Sequence, residues 1–422
     1  MTPYKIEGLG VLPGGTSCTP NAINHRGHVV GTADTVGNWA QAFLWTEATG
    51  MSALPNLPGA THSSANDINN HGDIVGSCSI WDPVQEENIF YATHWIAGVP
   101  NNLDQNAWAD AQSININGEI SGGKYDTNTR QNFACSWKGG VIQLLELASY
   151  HGSEQNVQCN GLCIIDSGEV FGTILKDRPN PPPYNEYEAA LKWNNAGNVQ
   201  ELDYPNNLDI EGLGGRDSDL GSANNSGVAV GSIFYGSTLA NEVFKPFFWS
   251  PYGKGLLGTT SPQQKGTANH INSAGQAVGY LDDGTGQRAT IWNGPVITDL
   301  NDLISPFSGW NLINATSIND AGQIVGVGFF LGELRGFIMT PVYKIIEIPH
   351  IYKLPPIYWQ ITFGFLGDTD GIHIVGPGGG GPGPGADTLS SLLHQIPEEL
   401  RAEIRIILLS QKDIQGRRIN TR

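Results

Sequence analysis

The sequence predicts an all-β protein, a seven-bladed β-propeller closed by its N-terminal strand, and three observations support this fold class. One motif, Ala-x-x-Ile-Asn-x-x-Gly-x-Ile-Val-Gly, recurs seven times along the 422 residues. Its central glycine returns at intervals of 45, 46, 50, 59, 48 and 47 residues, which is the period of propeller blades. Charged residues make up only 15% of the chain and 55 residues are Gly, a composition that suits short strands and tight turns.

Each copy of the motif predicts a first strand, a turn and a second strand. The copies occupy 22–31, 67–76, 113–122, 163–172, 222–231, 270–279 and 317–326, and the copy at 163–172 is degenerate. An Asn side chain can bond its own backbone to open the turn, and Gly closes it at positive φ. Six copies have this Asn: Asn24, Asn69, Asn115, Asn224, Asn272 and Asn319.

Metal binding is the alternative use of these turns. Recurring Asn and Asp residues resemble calcium ligands, but most of the loops offer one carboxylate or none, so turn chemistry is favoured. DTDG (368–371) is read as an ordinary turn for the same reason. His25 and His28 are interpreted as residues flanking a turn, because no third zinc ligand is evident. We therefore expect neither a metal nor a cofactor.

A tryptophan marks the predicted third strand of six repeats, and GFIM (336–339) takes its place in the last one. These residues are Trp45, Trp95, Trp137, Trp193, Trp249 and Trp292. An aromatic at a fixed strand position is expected to pack one blade against the next. A ring of platforms on which sugars stack is the alternative.

A short alternating segment after each Trp, such as 51–57, predicts a fourth strand. The last repeat ends at Thr340-Pro341 without one, whereas the N-terminal segment 4–15 parallels 51–60. The N-terminal strand is therefore expected to complete the last blade, which would remove an open sheet edge.

The repeated Ile-Asn-x-x-Gly-x-Ile-Val-Gly and Ala-Phe-Leu-Trp segments resemble the HAF repeat family of bacterial proteins over about residues 4–341. The resemblance implies propeller-like repeats and an extracellular or cell-surface location, and it implies no catalytic residues. No apolar signal segment follows Met1, so a cytoplasmic location or non-classical export stays open.

Four segments are predicted along the chain: the propeller (1–342), a strand-like extension (343–375), a Gly/Pro linker (376–386) and a helical tail (387–422). Leu400, Ile404, Ile407 and Leu408 line one face of the last predicted helix. This face is expected to bind a protein partner or a neighbouring subunit. Packing of the helix on its own propeller is the alternative.

Charge and cysteine content limit the remaining options. The net charge is −18, and residues 343–422 hold eight basic and eight acidic residues, so the repeats carry all of the excess charge. Such a surface repels phosphate backbones, which argues against nucleic-acid binding, and no apolar run is long enough to span a membrane. Five Cys residues leave at least one unpaired, and a Cys159–Cys163 disulfide stays open.

The function favoured by the sequence is a non-enzymatic binding or structural module that displays loops and is anchored through its tail. The longer connections 80–91, 176–187 and 234–243 offer Trp81, Tyr184, Tyr187 and Tyr235 as candidate contacts for a protein or a glycan. The alternative is a carbohydrate-active enzyme with carboxylates at one end of the propeller channel. Its candidate carboxylates, Asp67, Asp110 and Asp217, are scattered along the sequence.

Overall fold

The computed structural model describes residues 4–37, 39–84, 86–104, 108–145, 158–177, 186–202, 217–235, 243–261, 264–342, 360–362 and 373–375. It divides the chain into two compact parts, residues 1–342 and 343–422. In the first part the strands are β1 (Tyr4–Gly8), β2 (Cys18–Ile23), β3 (Val29–Asp34), β4 (Ala40–Thr46), β5 (Gly50–Ala53), β6 (His62–Ile68), β7 (Ile74–Asp82), β8 (Glu87–Ile96), β9 (Val99–Asn102), β10 (Ala109–Ile114), β11 (Ile120–Asp126), β12 (Gln131–Lys138), β13 (Val141–Leu144), β14 (Gln158–Ile164), β15 (Val170–Asp177), β16 (Glu186–Trp193), β17 (Val199–Glu201), β18 (Asp217–Ala223), β19 (Ala229–Tyr235), β20 (Val243–Ser250), β21 (Gly253–Leu256), β22 (Lys265–Ile271), β23 (Gln276–Asp282), β24 (Gln287–Asn293), β25 (Val296–Asp299), β26 (Trp310–Ile318), β27 (Ile324–Phe330) and β28 (Glu333–Pro341).

The strands pair as antiparallel meanders that follow the sequence repeats. We number these units 1 to 6 as β2–β5, β6–β9, β10–β13, β14–β17, β18–β21 and β22–β25. Unit 7 consists of β26–β28 together with β1, which pairs with β28 from Tyr4↔Pro341 to Gly8↔Phe337. A single parallel bridge, Asn132↔Gln158, joins the sheets of units 3 and 4. The expected all-β class is confirmed, and the described residues contain no α-helix.

The Asn turn predicted between the first two strands of each repeat is confirmed. In unit 1, the Asn24 side-chain oxygen accepts hydrogen bonds from the backbone N–H groups of Arg26 and His28, both at 3.0 Å. Gly27 follows at φ 75°, a left-handed conformation that costs glycine least. The Asn24 side-chain amide also donates to the carbonyl of Asn69 in unit 2 (3.1 Å), a contact between units that the local sequence did not reveal.

This inter-unit hydrogen bond repeats around most of the array. Asn69 donates to Asn115 (3.2 Å), and Asn115 donates to Ile165 (3.1 Å). The series resumes with Asn224 to Asn272, Asn272 to Asn319, and Asn319 to Asn24, at 2.9, 3.2 and 2.8 Å. Unit 4 has Ile165 at this position, which explains why the degenerate repeat donates no such bond.

The tryptophans of the third strands are core residues. Each is at most 9% exposed, and Trp95 and Trp193 are completely buried. The indole N–H of Trp95 donates to the carbonyl of Pro55 in the preceding unit at 2.7 Å, and Trp292 donates likewise to Gly258 at 3.1 Å. Packing between units is therefore confirmed, and the alternative of sugar-stacking platforms is wrong because the ring faces are not accessible.

An antiparallel meander places its connections alternately at its two ends, and this gives the first part of the chain two distinct faces. The turns after the first and third strands lie at one end, which we call the turn face. The hairpins between the second and third strands lie at the other end, together with the connections that lead into the next unit. We call this end the loop face, and the strands that flank the three long insertions, 80–91, 176–187 and 234–243, end or begin there.

Three further elements complete the description. A 3-10 helix, Leu300–Leu303, follows β25, and the Asp299 side chain caps it by accepting from the Asn301 N–H. In the second part, β29 (Gln360–Thr362) pairs antiparallel with β30 (His373–Val375). The predicted linker and tail helices lie outside the described residues. Within the described part of the chain, no helix is long and apolar enough to cross a membrane.

Candidate functional site

The first strands of the units lie side by side at the centre of the array. Each contacts the first strand of the next unit, and β26 of unit 7 contacts β2 of unit 1. Every first strand has a register shift at the corresponding residue, β26 has a second one at Ile313, and such a bulge turns the side chain out of the ladder. The bulged residues at the corresponding position are Asn21, Asn66, Gln112, Leu162, Gly221, Asn269 and Thr316.

Most of these bulged polar residues bond the neighbouring unit. Asn21 donates to the Ala65 carbonyl and Asn66 to the Ala111 carbonyl, both at 2.9 Å. Thr316 donates across to Pro20 at 2.7 Å. Because these donors are used between units, the amide and hydroxyl groups at the centre hold the array together.

The residues that directly follow the bulges are the first candidates for a catalytic site, because four of them are of types common in such sites: Asp67, Ser113, Cys163 and His270. Asp67 accepts from the Ser113 hydroxyl (2.8 Å) and from the Ile114 N–H (2.9 Å) of the next unit. His270 Nδ1 accepts from the Ile318 N–H (3.4 Å), and burial lowers the pKa of His270 to about 4. These groups bond successive units one to another and do not converge on one site.

The carboxylates proposed for a carbohydrate-active enzyme are also not brought together as a set. Asp67 lies between units 2 and 3, whereas Asp110 lies earlier on its strand and accepts from the Gly123 N–H at 3.1 Å. The side chain of Asp217 lies outside the described residues. The sequence reasoning missed Asp219, which occupies in unit 5 the position that Asp110 has in unit 3. Burial raises the pKa of both Asp110 and Asp219.

The loop face of units 1 and 2 exposes large apolar side chains. In the unit 2 hairpin, Trp81 and Val84 are 51% and 89% exposed, as expected for the predicted contact residue Trp81. In the unit 1 hairpin, Val36 and Trp39 are 76% and 44% exposed, and the sequence reasoning did not select either. A large indole that remains accessible on a loop is typical of a contact surface.

The connection that enters unit 1 supports this surface. Asp34, at the end of β3, accepts from the Thr16 N–H (2.9 Å), the Thr16 hydroxyl (2.6 Å) and the Ser17 N–H (2.6 Å). These hydrogen bonds lower the pKa of Asp34 although burial opposes them. Val36 lies against Gly14, where an added Cβ would come within 2.2 Å of its methyl group. Asp34 is thus a structural carboxylate.

The other predicted contact residues cannot be placed on this surface. Tyr187 and Tyr235 lie in β16 and β19, but their side chains are outside the described residues, as is the whole of Tyr184. The tail residues Leu400, Ile404, Ile407 and Leu408 also lie outside the described residues. Their assignment to a partner remains a prediction.

The histidines and cysteines have structural surroundings. His25 Nε2 lies 3.0 Å from an Asp320 carboxylate oxygen of unit 7, which raises the pKa of His25 and lowers that of Asp320. No group of three metal-ligating side chains occurs among the described residues. All five cysteines are free and buried, so the Cys159–Cys163 disulfide left open by the sequence is not formed. Cys159 and Cys163 belong to different core clusters, on opposite sides of unit 4.

Comparison with known proteins identifies the fold but not a family. No protein-family model and no curated protein matches the sequence. Among solved structures, the β-propeller domain of the Trilobed protease from Pyrococcus furiosus aligns at 8% identity over 77% of this chain and 95% of that domain, with a TM-score of 0.51. That domain is described as having an open velcro topology, whereas β1 pairs with β28 here.

Two further solved structures align with this chain over only part of their own length. Pyrococcus horikoshii acylaminoacyl peptidase aligns at 8% identity over 82% of this chain and 57% of that one, with a TM-score of 0.48. A puromycin hydrolase aligns at 11% identity over 81% and 58%, with a TM-score of 0.42. This chain therefore spans less than two thirds of the length of either enzyme.

This comparison corrects the expected function. A non-enzymatic binding or structural module was expected, yet the solved structure that aligns with a TM-score above 0.5 is the β-propeller domain of a protease. The sequence reasoning was misled because it looked for catalytic signals inside the repeats. Four of the candidate side chains found there bond a neighbouring unit, namely those of Asp67, Ser113, Cys163 and His270.

Proposed function

We propose that units 1 to 7 form a closed seven-bladed propeller in which β1 completes the last blade. Three contacts between unit 7 and unit 1 support this architecture. Asn319 donates to Asn24 (2.8 Å), Thr316 donates to Pro20 (2.7 Å), and His25 faces Asp320 (3.0 Å). The first two are the same bonds that join neighbouring units elsewhere, so the junction between units 7 and 1 repeats the ordinary junction between units.

We propose further that this propeller takes part in peptide hydrolysis and receives the polypeptide substrate at its loop face. The observation that carries the proposal is the exposure of Trp39 and Trp81 on the loop face of adjacent units. Extended polypeptides are held by accessible aromatic side chains beside polar groups. The likeness to the propeller domain of a protease supports the reaction class.

The division of labour follows from what the repeats contain. The Ser and Cys side chains that follow the bulges are buried, and the Ser113 hydroxyl is bonded to Asp67 of the neighbouring unit. The propeller therefore holds and orients the substrate, and the hydrolytic groups come from a hydrolase that acts with it. Positioning of this kind accelerates a reaction by holding the scissile bond near the catalytic groups.

The test uses the full chain, tagged and isolated from its native cells, in an assay with a quenched-fluorescent peptide library. We expect peptide hydrolysis above that of a mock isolation from untagged cells. Replacing Trp39 and Trp81 by Ala should raise KM several-fold while kcat changes little, because the two side chains bind substrate without touching the scissile bond.

Tyr252→Ala provides the matched control, since Tyr252 is 99% exposed but lies at a turn between the third and fourth strands, on the turn face. This variant should keep the KM of the unaltered chain. Absence of peptide hydrolysis above the mock isolation would overturn the proposed function.

A further inference from the structure

Charge is distributed unevenly along the repeats. No Lys or Arg occurs between residues 27 and 123, and this stretch contains ten Asp and Glu residues. It therefore contributes −10 (zero basic minus ten acidic residues) of the net charge of −18. Units 1 and 2 (residues 18–53 and 62–102) hold seven of these ten acidic residues and one basic residue, Arg26, so they form an acidic sector with a net charge of −6.

The loop face of this sector is also its most apolar exposed surface. The indole of Trp39 in unit 1 stacks on the His62 ring of unit 2, with ring centroids 4.8 Å apart and planes inclined by 16°. Thr32 and Ser64 bond the same two units at 2.8 Å. The exposed side chains of the two hairpins thus belong to one continuous end of the molecule. We call this surface the rim, defined by Val36, Trp39, Trp81, Val84, Glu86 and Glu87.

Among the described residues, Glu86 and Glu87 of the rim form no ion pair with a basic side chain, whereas other carboxylates on the loop face do. In unit 3, Lys124 pairs with Asp104 at 2.6 Å, and Arg288 and Arg335 pair with Asp299 and Glu333 in units 6 and 7. In unit 2, Asp82 lies directly opposite Glu87 across the hairpin, and like charges in that register repel. Asp82 accepts from the Val84 N–H at 2.7 Å, whereas Glu86 and Glu87 are exposed.

We infer that the rim binds a cationic polypeptide segment in which Lys or Arg residues stand beside aromatic or aliphatic ones. A Lys or Arg side chain can lie over the accessible face of Trp81 while Glu86 and Glu87 attract its charge. The neighbouring apolar residue of the segment would cover Val36, Val84 and Trp39. This inference rests on the proposed function and names the class of polypeptide that the loop face receives.

Fluorescence anisotropy with the full chain tests the inference directly and independently of hydrolysis. The probe is a short labelled peptide containing Lys, Arg and Phe, and its two matched forms replace either the basic residues by Glu or Phe by Ser. We expect the unaltered peptide to bind best, with an affinity that falls as salt is raised. Trp81→Ala should weaken binding by about tenfold, as is usual for a central aromatic contact.

Two charge-reversal variants distinguish binding at the rim from attraction by the net negative charge of the whole molecule. Glu87→Lys and Glu47→Lys change the net charge equally, but Glu47 lies at a turn of unit 1 on the opposite face. We expect Glu87→Lys to reduce affinity several-fold and Glu47→Lys to leave it nearly unchanged. Equal losses for both variants, or preferred binding of a neutral oligosaccharide, would overturn the inference. Peptide hydrolysis without preference for basic substrates would overturn the inference and leave the proposed function standing, whereas binding without hydrolysis would do the reverse.

Discussion

The turn face and the loop face differ in how closely the repeats resemble one another: the turn face repeats the same contacts, and the loop face varies from unit to unit. On the turn face, six units use the same Asn to shape the turn and bond the next unit, as Asn24 does. Charged pairs form there, such as Lys192 with Glu169 at 2.7 Å and His25 with Asp320 at 3.0 Å. On the loop face the hairpins differ in length and composition, and those of units 1 and 2 combine exposed indoles with carboxylates.

The difference shows how a repeat protein separates stability from recognition. Backbone carbonyls bonded by one side chain in nearly every unit fix the relative position of neighbours, because a buried polar group without a partner is costly. Hairpins at the other end make few of these contacts, so their sequences are free to vary. Substitutions at the two ends should therefore have different consequences.

The largest contrast is expected within unit 2, between two tryptophans on adjacent strands. Trp95→Ala should lower the free energy of unfolding by about 3–5 kcal/mol, since it leaves a cavity between units and removes the bond to Pro55. Trp81→Ala, which removes a half-exposed indole, should change stability by less than about 1 kcal/mol. Denaturant titration followed by circular dichroism measures both values. Similar losses for the two variants would contradict the division between core and rim.

The acid stability of the array should depend on His270. Burial lowers its folded-state pKa to about 4, whereas the unfolded chain takes up the proton near pH 6.5. Stability is therefore lost as pH falls from 6.5 towards 4, by up to about 3 kcal/mol. His270→Gln keeps an acceptor for the Ile318 N–H and should remove this dependence, measured as the difference between the two stability–pH curves. Parallel curves would show that His270 does not titrate in this way.

His25 provides the comparison of opposite sign. Its hydrogen bond to Asp320 raises its folded-state pKa, so its contribution is present below the unfolded pKa. That contribution is lost as the pH rises through the raised value. His25→Gln should accordingly lower stability at mildly acidic pH and matter less at alkaline pH. The same dependence in both His variants would contradict the assignment.

A smaller effect on stability is expected at the junction between units 7 and 1. Asn319→Ala removes a donor to the Asn24 carbonyl and an acceptor for the Gln323 N–H, and should cost about 2 kcal/mol. Asn272→Ala removes the corresponding contacts to Asn319 and Gln276 within the chain and is the matched variant. Hydrogen exchange of β1 and β28 should increase in Asn319→Ala and not in Asn272→Ala. No change in either quantity would contradict a closing role for Asn319.

Much of the local structure was predictable because the same sequence pattern occurs in seven repeats. The strand positions, the Asn-x-x-Gly turns and the burial of the third-strand tryptophans follow from local patterns alone. The bulge at residues such as Asn21 was not predicted, because its cause is the fit against the neighbouring first strand. Asp219 was overlooked although the repeat alignment could have found it, since it lies eight residues before Gly227 as Asp110 lies eight residues before Gly118.

The candidate surface was predicted only in part. Trp81 was selected from the length of its insertion, whereas Trp39 lies in a short hairpin that gave no such signal. The acidic sector was readable from the absence of Lys and Arg between residues 27 and 123. The sequence did not show that the carboxylates and indoles of this sector lie on the same face, because this depends on which hairpins share a face of the folded chain.

The sequence by itself determined the secondary structure, the turn chemistry and the number of repeats, since each depends on interactions among residues close in the chain. The tertiary structure alone decided what the polar residues of the first strands do. Four of these residues are of types common in catalytic sites: Asp67, Ser113, Cys163 and His270. Their hydrogen-bond partners belong to an adjacent repeat, about 45 to 60 residues away. Burial between units favours such bonds, because a buried polar group without a partner is costly.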